Sequence, residues 1–560
     1  MEIFLAWLAL SSKKPPYLSM QRTDLFNQLE RLNAIGIALS SEHDNDRLLE
    51  TILLGAKELT NSDGGTLYTV TEEQKLKFEI MRTQSLNIAM GGTTGKAIPF
   101  PTFPIYLADG TPNTNMVAAY SVINDKTVNI PDAYLTEDFD FSGTRRFDEK
   151  MGYRSKSFLT VPMKNHENEI IGVLQLINAI DPETKEIIAF TEAHQRLVES
   201  LASQAAVALT NENLIRGLKD LFESFIKLIA DAIDEKSPYT GGHCQRVPEL
   251  TMMLAEAAIE SDSGPFKDFT MTEKEVYELK IAAWLHDCGK VTTPEYVMDK
   301  ATKLETIFDR IHLIDSRFEQ IKSQREIAYL RMAIETAKSG NMLNMKSLED
   351  DILALKKALD ADRNFIRRMN IGSEAMRAED QRRVKDIAQY EFINESGKKV
   401  KFLSEEETNN LTIFRGTLTP EERTVINNHI VATIHMLESL PYPKDLARVP
   451  EYAGGHHERM DGKGYPKGLT REQMSIPARM MGVADIFEAL TAKDRPYKKA
   501  KKLSETLAIL GKMCVENHID PDVFNLFIRE KVYLRYAEMF LEPTQIDEID
   551  EAKILGYSKY

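Results

Sequence analysis

His456-His457-Glu458-Arg459-Met460-Asp461-Gly462-Lys463-Gly464-Tyr465-Pro466 sets two adjacent imidazoles and two acids immediately ahead of a turn. Gly462 and Gly464 read as positions with backbone angles that other residues avoid, and Pro466 fixes the chain as it leaves. A second doublet stands upstream in His286-Asp287-Cys288-Gly289-Lys290. It closes an apolar run of Val276, Leu279, Ile281, Ala282, Ala283 and Leu285, which predicts a buried helix with Gly289 as its C-cap. An ionisable pair at a buried helix end is costly unless it is hydrogen-bonded or metal-bound. For the doublet alone a His–Asp hydrogen bond suffices; nitrogen and carboxylate donors together suit a first-row metal, Fe or Mn ahead of Zn.

Further histidines surround these anchors. Tyr239-Thr240-Gly241-Gly242-His243-Cys244-Gln245-Arg246-Val247 places His243 at the start of a helix that runs through Leu250, Met253 and Leu254. In Leu418–His429, Thr419 followed by Glu422 is a capping signature, and His429 then shares a helix with Ile426, Ile430 and Ile434. His312 competes with His429 because it follows the first doublet more directly, and His435 reads as structural. Asp485 lies in Gly482–Leu490, and the basic stretch Asp494-Arg495-Pro496-Tyr497-Lys498-Lys499 comes shortly after it.

In this order, over roughly residues 230–530, these stretches resemble the HD-GYP family of metal-dependent cyclic-dinucleotide phosphodiesterases. The resemblance implies His243, His286, Asp287, His429, His456, His457 and Asp485 as metal ligands, with Asp287 bridging two ions. The spacing of His312 from Leu304 is shorter than the family's, which favours His429. Some members hold a third ion through a glutamate just before the first histidine; Tyr239 stands there, with Asp234 and Glu235 further back, which favours two Fe or Mn ions and leaves a third open. Asp287 and Lys290 are the implied catalytic residues, and Lys290, Gly464, Tyr465, Pro466, Arg495 and Lys498 the implied substrate contacts. The implied reaction is hydrolysis of cyclic di-GMP to pGpG or GMP. Hydrolysis of another cyclic dinucleotide such as cyclic GMP-AMP, and an inactive receptor or scaffold, are the alternatives. Cys244 and Cys288 read as small packing residues.

The N-terminal half has a different pattern. Helical periodicity runs from Leu25 to Thr60, Gly64-Gly65 suggests a turn, and the alternation in 66–70 and 76–80 predicts a hairpin. Strands follow at 158–163 and 170–178, and a helix starts near Phe190. Residues 91–118, rich in Gly, Pro and Thr, read as a long loop and a candidate lid. Asn129–Tyr134, Gly152–Leu159 and Gly172–Asn178 resemble a GAF domain, an antiparallel sheet flanked by helices, over about residues 25–213. Asn178 is followed by Ala179, and Phe190 by Thr191-Glu192-Ala193-His194, a departure from nucleotide-binding members; with no cysteine before Cys244 a covalent bilin is excluded. The ligand of this domain, a small molecule or none, stays open.

Residues 191–235 lack proline and carry Leu214, Leu218, Leu221, Phe225, Leu228 and Ala232 at heptad spacing, which predicts a connector helix and a homodimer. Residues 317–415 form a charged helical insertion, with Ile352, Leu355, Leu359 and Ile366 suggesting a hairpin broken at Gly340 and Gly372. The expected layout is an extension at 1–24, a GAF domain at 25–213, a connector at 191–235, an all-α HD-type domain at 230–535 with its insertion, and a tail at 536–560. At 560 residues several domains are expected, and 42% hydrophobic with 28% charged residues describes a globular protein. A net charge of −16 argues against a nucleic-acid polymer as partner. Three cysteines fit a reducing, cytoplasmic setting. Residues 1–10 are apolar but too short to span a bilayer and lack a basic flank, so no transmembrane segment or signal peptide is expected, and residues 1–19 read as a weak helical contact or a misassigned start before Met20.

Overall fold

The computed structural model describes residues 16–236, 241–339, 344–373, 375–394, 396–493 and 500–558. The expectations for residues 1–15, Tyr239, Gly340, Arg495 and Lys498 fall outside them. The chain divides into two compact units, Met1–Leu221 and Phe222–Tyr560. Among the described residues no helix is long and apolar enough to cross a membrane.

Unit one opens with α1 (Pro16–Ser41) and α2 (Asn45–Thr60). The side chain of Asp44 caps α2 by accepting from Arg47 N, and Asn61, in the left-handed region, ends it. The sheet follows: β1 (Ser62–Val70), β2 (Lys75–Thr83), β3 (Ile88–Gly91), β4 (Phe103–Pro104), then after α3 (Val117–Asn124) β5 (Val128–Ile130), then after α4 (Ser142–Met151) β6 (Phe158–Lys164), β7 (Ile170–Ile180) and β8 (Ile187–Ile188). The order is β3-β2-β1-β7-β6-β5, with antiparallel neighbours throughout. Leu67 pairs with Ile80 on one side and Leu174 on the other, so period-two alternation gathers buried aliphatics on one face. Leu48, Ile52 and Leu53 of α2 cover that face together with Leu197, Val198 and Leu201 of α5 (Glu192–Lys236).

Two readings of this unit change. Gly64 and Gly65 are not a turn; both lie within β1. A Cβ on Gly65 would come within 2.8 Å of Leu53 Cδ1, so glycine there serves the close approach of α2 to the sheet. Residues 91–118 hold little regular structure and are largely exposed, but their middle is anchored: β4 pairs with β2, Phe103 meets Tyr68 edge-on at 5.7 Å, and Ile105 is buried.

The 45-residue α5 presents two faces over its second half. Ile226, Ala230 and Ile233 join the core of unit two. The heptad stripe faces away: Leu214, Leu218, Leu221, Phe225 and Leu228 are all more than half exposed.

Unit two contains α6 (His243–Ile259), α7 (Glu273–Leu285), α8 (Glu295–Met298), an insertion, α13 (Pro420–Asn427), α14 (His429–Glu438), α15 (Val449–Gly454), α16 (Ile476–Thr491), α17 (Leu503–Val515), α18 (Pro521–Arg529) and α19 (Val532–Phe540). Val247, Leu254, Leu279, Ala283, Val483 and Phe487 lie at its centre, where α6, α7 and α16 meet.

The insertion contains the expected helical hairpin, α9 (Ile311–Lys338) and α10 (Met345–Asn370), but it is larger. It continues through α11 (Ala378–Ala388), a two-stranded ribbon of β9 (Glu391–Ile393) and β10 (Lys399–Lys401), and α12 (Glu405–Leu411). Phe318, Leu359, Ile366, Ile387, Phe402 and Leu411 form its own core. It also begins before residue 317: Lys303 N donates to Asn370 O at 2.8 Å, and Thr417 Oγ1 donates to Lys300 O at 2.8 Å, so its two ends meet. The fully buried Lys303 fastens it further, donating Nζ–H to the carbonyls of Leu411 (3.2 Å) and Ile413 (2.8 Å).

Candidate metal centre

Helix ends and close backbone contacts bring seven side chains together. Asp234 accepts from Gly242 N (3.0 Å) and Cys244 N (3.2 Å), which fastens the first turn of α6. His243 is the first residue of that helix, after Gly242 in the left-handed region. The buried helix α7 ends at Leu285, and His286-Asp287 lead into a short 3₁₀ turn, Cys288–Thr292. Gly289 is therefore not the C-cap of α7. A Cβ there would lie 2.0 Å from His429 O and 2.5 Å from Thr433 N, so the residue is small because the turn touches the backbone of α14. Gly289 N donates to Thr433 Oγ1 at 2.9 Å, and this contact sets Asp287 against His429. The capping box of Thr419 and Glu422 starts α13, but that helix ends at Asn427. Ile426 thus lies on α13 while His429 opens α14 with Ile430 and Ile434, and the four do not share one helix as expected. Gly454 packs against Ile434 and Gly455 against Ala478, so α15 fits closely between α14 and α16 and delivers His456 and His457. Asp485 projects from α16.

Asp287 is the hub. Its Oδ2 lies 3.2 Å from His243 Nε2 and 3.3 Å from His286 Nε2, and its Oδ1 lies 3.3 Å from His429 Nε2. Asp485 Oδ1 is 3.3 Å from His243 Nε2, and the Nε2 atoms of His429 and His457 are 3.1 Å apart. Two four-residue sets result: His243, His286, Asp287 and Asp485; and Asp287, His429, His456 and His457. Within each set the candidate donor atoms lie within 4.8 Å of one another. His312, exposed on α9, belongs to neither, and His435 is exposed rather than buried in a structural role.

The imidazoles are oriented from behind. Nδ1 of His286, His456 and His429 donates to the carbonyl three residues earlier, Ala283 O (2.7 Å), Ala453 O (2.6 Å) and Ile426 O (2.5 Å). Nδ1 of His243 instead donates to Glu488 Oε2. Every one of these rings thus turns Nε2 towards the hub. His243 Nε2, His286 Nε2, His456 Nε2 and Asp287 Oδ1 are buried and make no hydrogen bond. Each such orphan costs about 1–3 kcal/mol, and a cation in each set would satisfy them. The donors, imidazole and carboxylate, fit first-row divalent ions.

The electrostatics agree with a cation site. Burial opposes charge on Asp287 and Asp485, yet Lys290 and His286 hold the Asp287 carboxyl well below its usual range, and His243 does the same for Asp485. Burial, then the neighbouring imidazoles His457 and His286, hold His456 well below its usual value, and burial lowers His457 to about 4. Those two rings are neutral donors. Lys290 Nζ donates to Asp287 Oδ2 at 2.5 Å, and despite burial Asp287 and Asp485 hold its proton more tightly than usual.

A cavity of about 250 Å³ opens beside the hub, lined in part by Arg246, Lys290, Asn427, Tyr465 and Ala492. Tyr465 stacks on His457 with ring centroids 4.9 Å apart and planes 22° apart. Gly464 and Pro466 are not among the lining residues, so only Tyr465 of the expected loop faces this cavity. Gly462 has the expected positive φ of 73°, but Gly464 does not; a Cβ there would lie 2.4 Å from Arg459 N and Glu458 Cα. Buried Glu458 holds the loop by accepting from Lys467 N (2.7 Å) and Leu469 N (2.9 Å). Glu488, Arg246 and Asn427 were not singled out from the sequence. The available signal was position: Glu488 follows Asp485, and Arg246 follows His243, by one helical turn.

Helices gathered around paired histidines and aspartates define a domain of the HD class. The chain matches the HD domain family over residues 406–523 and the GAF domain family over residues 44–209, and it therefore joins a GAF domain to an HD domain. His429, His456, His457 and Asp485 lie inside the HD match; His243, His286 and Asp287 lie before it. The chain is 39% identical over 114 residues to a cyclic di-GMP phosphodiesterase of Pseudomonas aeruginosa, covering 20% of this chain and 26% of that one. It is 36% identical over 97 residues to the 3'3'-cGAMP-specific phosphodiesterase 1 of Vibrio cholerae, covering 17% of this chain and 22% of that one. The matches thus span about a quarter of either relative. A solved GAF domain from an Acinetobacter phosphoenolpyruvate-protein phosphotransferase is 16% identical, with a TM-score of 0.25, covering 34% of this chain and 97% of that one.

Proposed function

We propose that the chain is a cytoplasmic, metal-dependent phosphodiesterase of the HD-GYP type that hydrolyses cyclic di-GMP to pGpG or GMP under the control of its GAF domain. The observation that carries this reading is the pair of four-donor sets sharing Asp287, with Lys290 beside them. The names of the relatives in Pseudomonas and Vibrio support the substrate class. Two divalent ions, Fe or Mn, when bound, supply a water nucleophile at neutral pH and neutralise charge gathering on the phosphate oxygens.

The remaining work belongs to side chains. Asp287 is placed to contribute one oxygen to each set. Lys290 keeps its proton and offers positive charge at the cavity wall, where a phosphodiester would lie. The Tyr465 ring and the apolar Ile426, Ala489 and Ala492 narrow the space for water. Arg495 and Lys498 supply further phosphate contacts in this reading, in line with the resemblance of their stretch to the family's Arg-Pro-Tyr motif. The exposed stripe Leu214, Leu218, Leu221, Phe225 and Leu228 is the homodimer contact; Leu221→Asp should convert the dimer to monomer in light scattering, and an unchanged mass would refute it.

Turnover of cyclic di-GMP by anaerobically purified protein, with metal measured on the same sample, tests the main reading. Hydrolysis with about two ions per chain is expected. Metal without hydrolysis of this substrate moves the weight to 3'3'-cGAMP, the substrate in the name of a Vibrio relative. Binding of either dinucleotide without turnover, at any metal loading, would leave a receptor.

A further inference from the structure

Glu488 is 1% exposed and uses both carboxylate oxygens. Oε2 accepts from His243 Nδ1, and Oε1 accepts from Arg246 Nε at 2.7 Å. The four residues come from two helices in the same way. His243 and Arg246 are one turn apart on α6, and Asp485 and Glu488 are one turn apart on α16. Each helix thus sends one residue to the hub and, a turn later, one to a buried ion pair behind it. Burial opposes charge on Glu488, yet His243 and Arg246 bring its carboxyl down to about 2.

The structure assigns Glu488 as the positioning residue for His243, and through it ties Arg246 on the cavity wall to the set formed by His243, His286, Asp287 and Asp485. The assignment rests on the metal-centre reading given above. His286, His429 and His456 are held by neutral backbone carbonyls, whereas His243 is held by a carboxylate. A carboxylate behind an imidazole fixes its tautomer and raises the basicity of the opposite nitrogen. The two sets therefore differ: one has two carboxylate donors and a third carboxylate behind them, while the other has three imidazoles and the shared Asp287.

The test is Mn²⁺ titration of metal-stripped, full-length protein by calorimetry, with melting followed in parallel. Glu488→Gln keeps the shape and removes the charge. The expected result is one ion bound about 10–100-fold more weakly and the other unchanged. A second variant, Arg246→Leu with Glu488→Leu, removes the ion pair as a unit and leaves no unpaired charge; the same single-site loss is expected. If Glu488 served only as the partner of Arg246, Glu488→Gln would lower the melting temperature yet bind two Mn²⁺ as the wild type does, and the double variant would recover the melting temperature with Mn²⁺ binding still unchanged. Either finding overturns the assignment. Wild-type protein that binds fewer than two Mn²⁺ would overturn the metal-centre reading itself, and the assignment with it, in a step that does not depend on the variants.

Discussion

Asp287→Asn separates a shared carboxylate from a collection of independent ligands. Asp287 is 1% exposed, and its two oxygens point to different sets, Oδ2 to His243 and His286, Oδ1 to His429. The substitution replaces two anionic oxygens with one neutral amide oxygen and a non-ligating NH2 group. One set thus loses a donor and the other keeps only a weaker one, and the set with His429, His456 and His457 loses its lone anionic donor. It also leaves the Lys290 ammonium without its 2.5 Å partner. Breaking a buried pair by removing one member costs about 3–5 kcal/mol, which the nearby Asp485 charge partly offsets. Three readouts follow. Metal-stripped Asp287→Asn should unfold at lower urea than the wild type, by about 2–4 kcal/mol. Bound metal should fall from about two ions to fewer than one per chain, and turnover should fall by about 10³-fold or more, equivalent to about 4 kcal/mol. Asp485→Asn exchanges an anionic donor for a neutral amide oxygen in one set alone and should weaken binding of one ion only. Asp287→Asn protein that keeps two tightly bound ions would refute the bridging geometry, whatever its activity.

Gly289→Ala should disturb the centre without touching a ligand: its Cβ would meet His429 O at 2.0 Å, so a loss of about 1–3 kcal/mol together with weakened metal binding is expected, and wild-type melting and metal content would contradict it. Lys303 gives a pH signature. Burial lowers its pKa from the ordinary 10.5 to about 8. Below about 8 both states carry the proton; between about 8 and 10.5 the folded state has shed it while the unfolded chain keeps it, so stability should rise with pH through that window. In urea midpoints measured from pH 7.5 to 10, the wild type should gain stability relative to Lys303→Met as pH rises, and parallel curves would refute this.

The long-range layout was readable from patterns that average over many residues. Period-two alternation marked β1 and β2, apolar runs marked β6 and β7, and a proline-free apolar repeat marked α5. His429 was favoured over His312 through the family resemblance, because the spacing of His312 from Leu304 is shorter than the family's; the structure places His429 beside Asp287 at the first residue of α14. What escaped depends on three-dimensional neighbours. Glu488 looks like any acid on a helix until His243, 245 residues away in sequence, is seen against it. The glycines misled for the same reason. Gly65, Gly289 and Gly464 are small because another backbone or side chain comes close, not because of their own dihedral angles. The ribbon β9–β10 has only three residues in each strand, too few for alternation to register.

The insertion bears on how the centre can assemble at all. Asp287 and His429 are separated by 142 positions, most of them within the segment whose ends meet at Lys300 and Thr417. Closing a flexible loop of that length would cost about 4 kcal/mol in chain entropy before any contact between the two sides formed. A body with its own core shifts that cost onto its own packing, because within it residues 300 and 417 are held in hydrogen-bond contact. The spacer then acts as a short tether: it holds the turn bearing Asp287 near the helix bearing His429 at high local concentration, and the two halves of the centre need only dock.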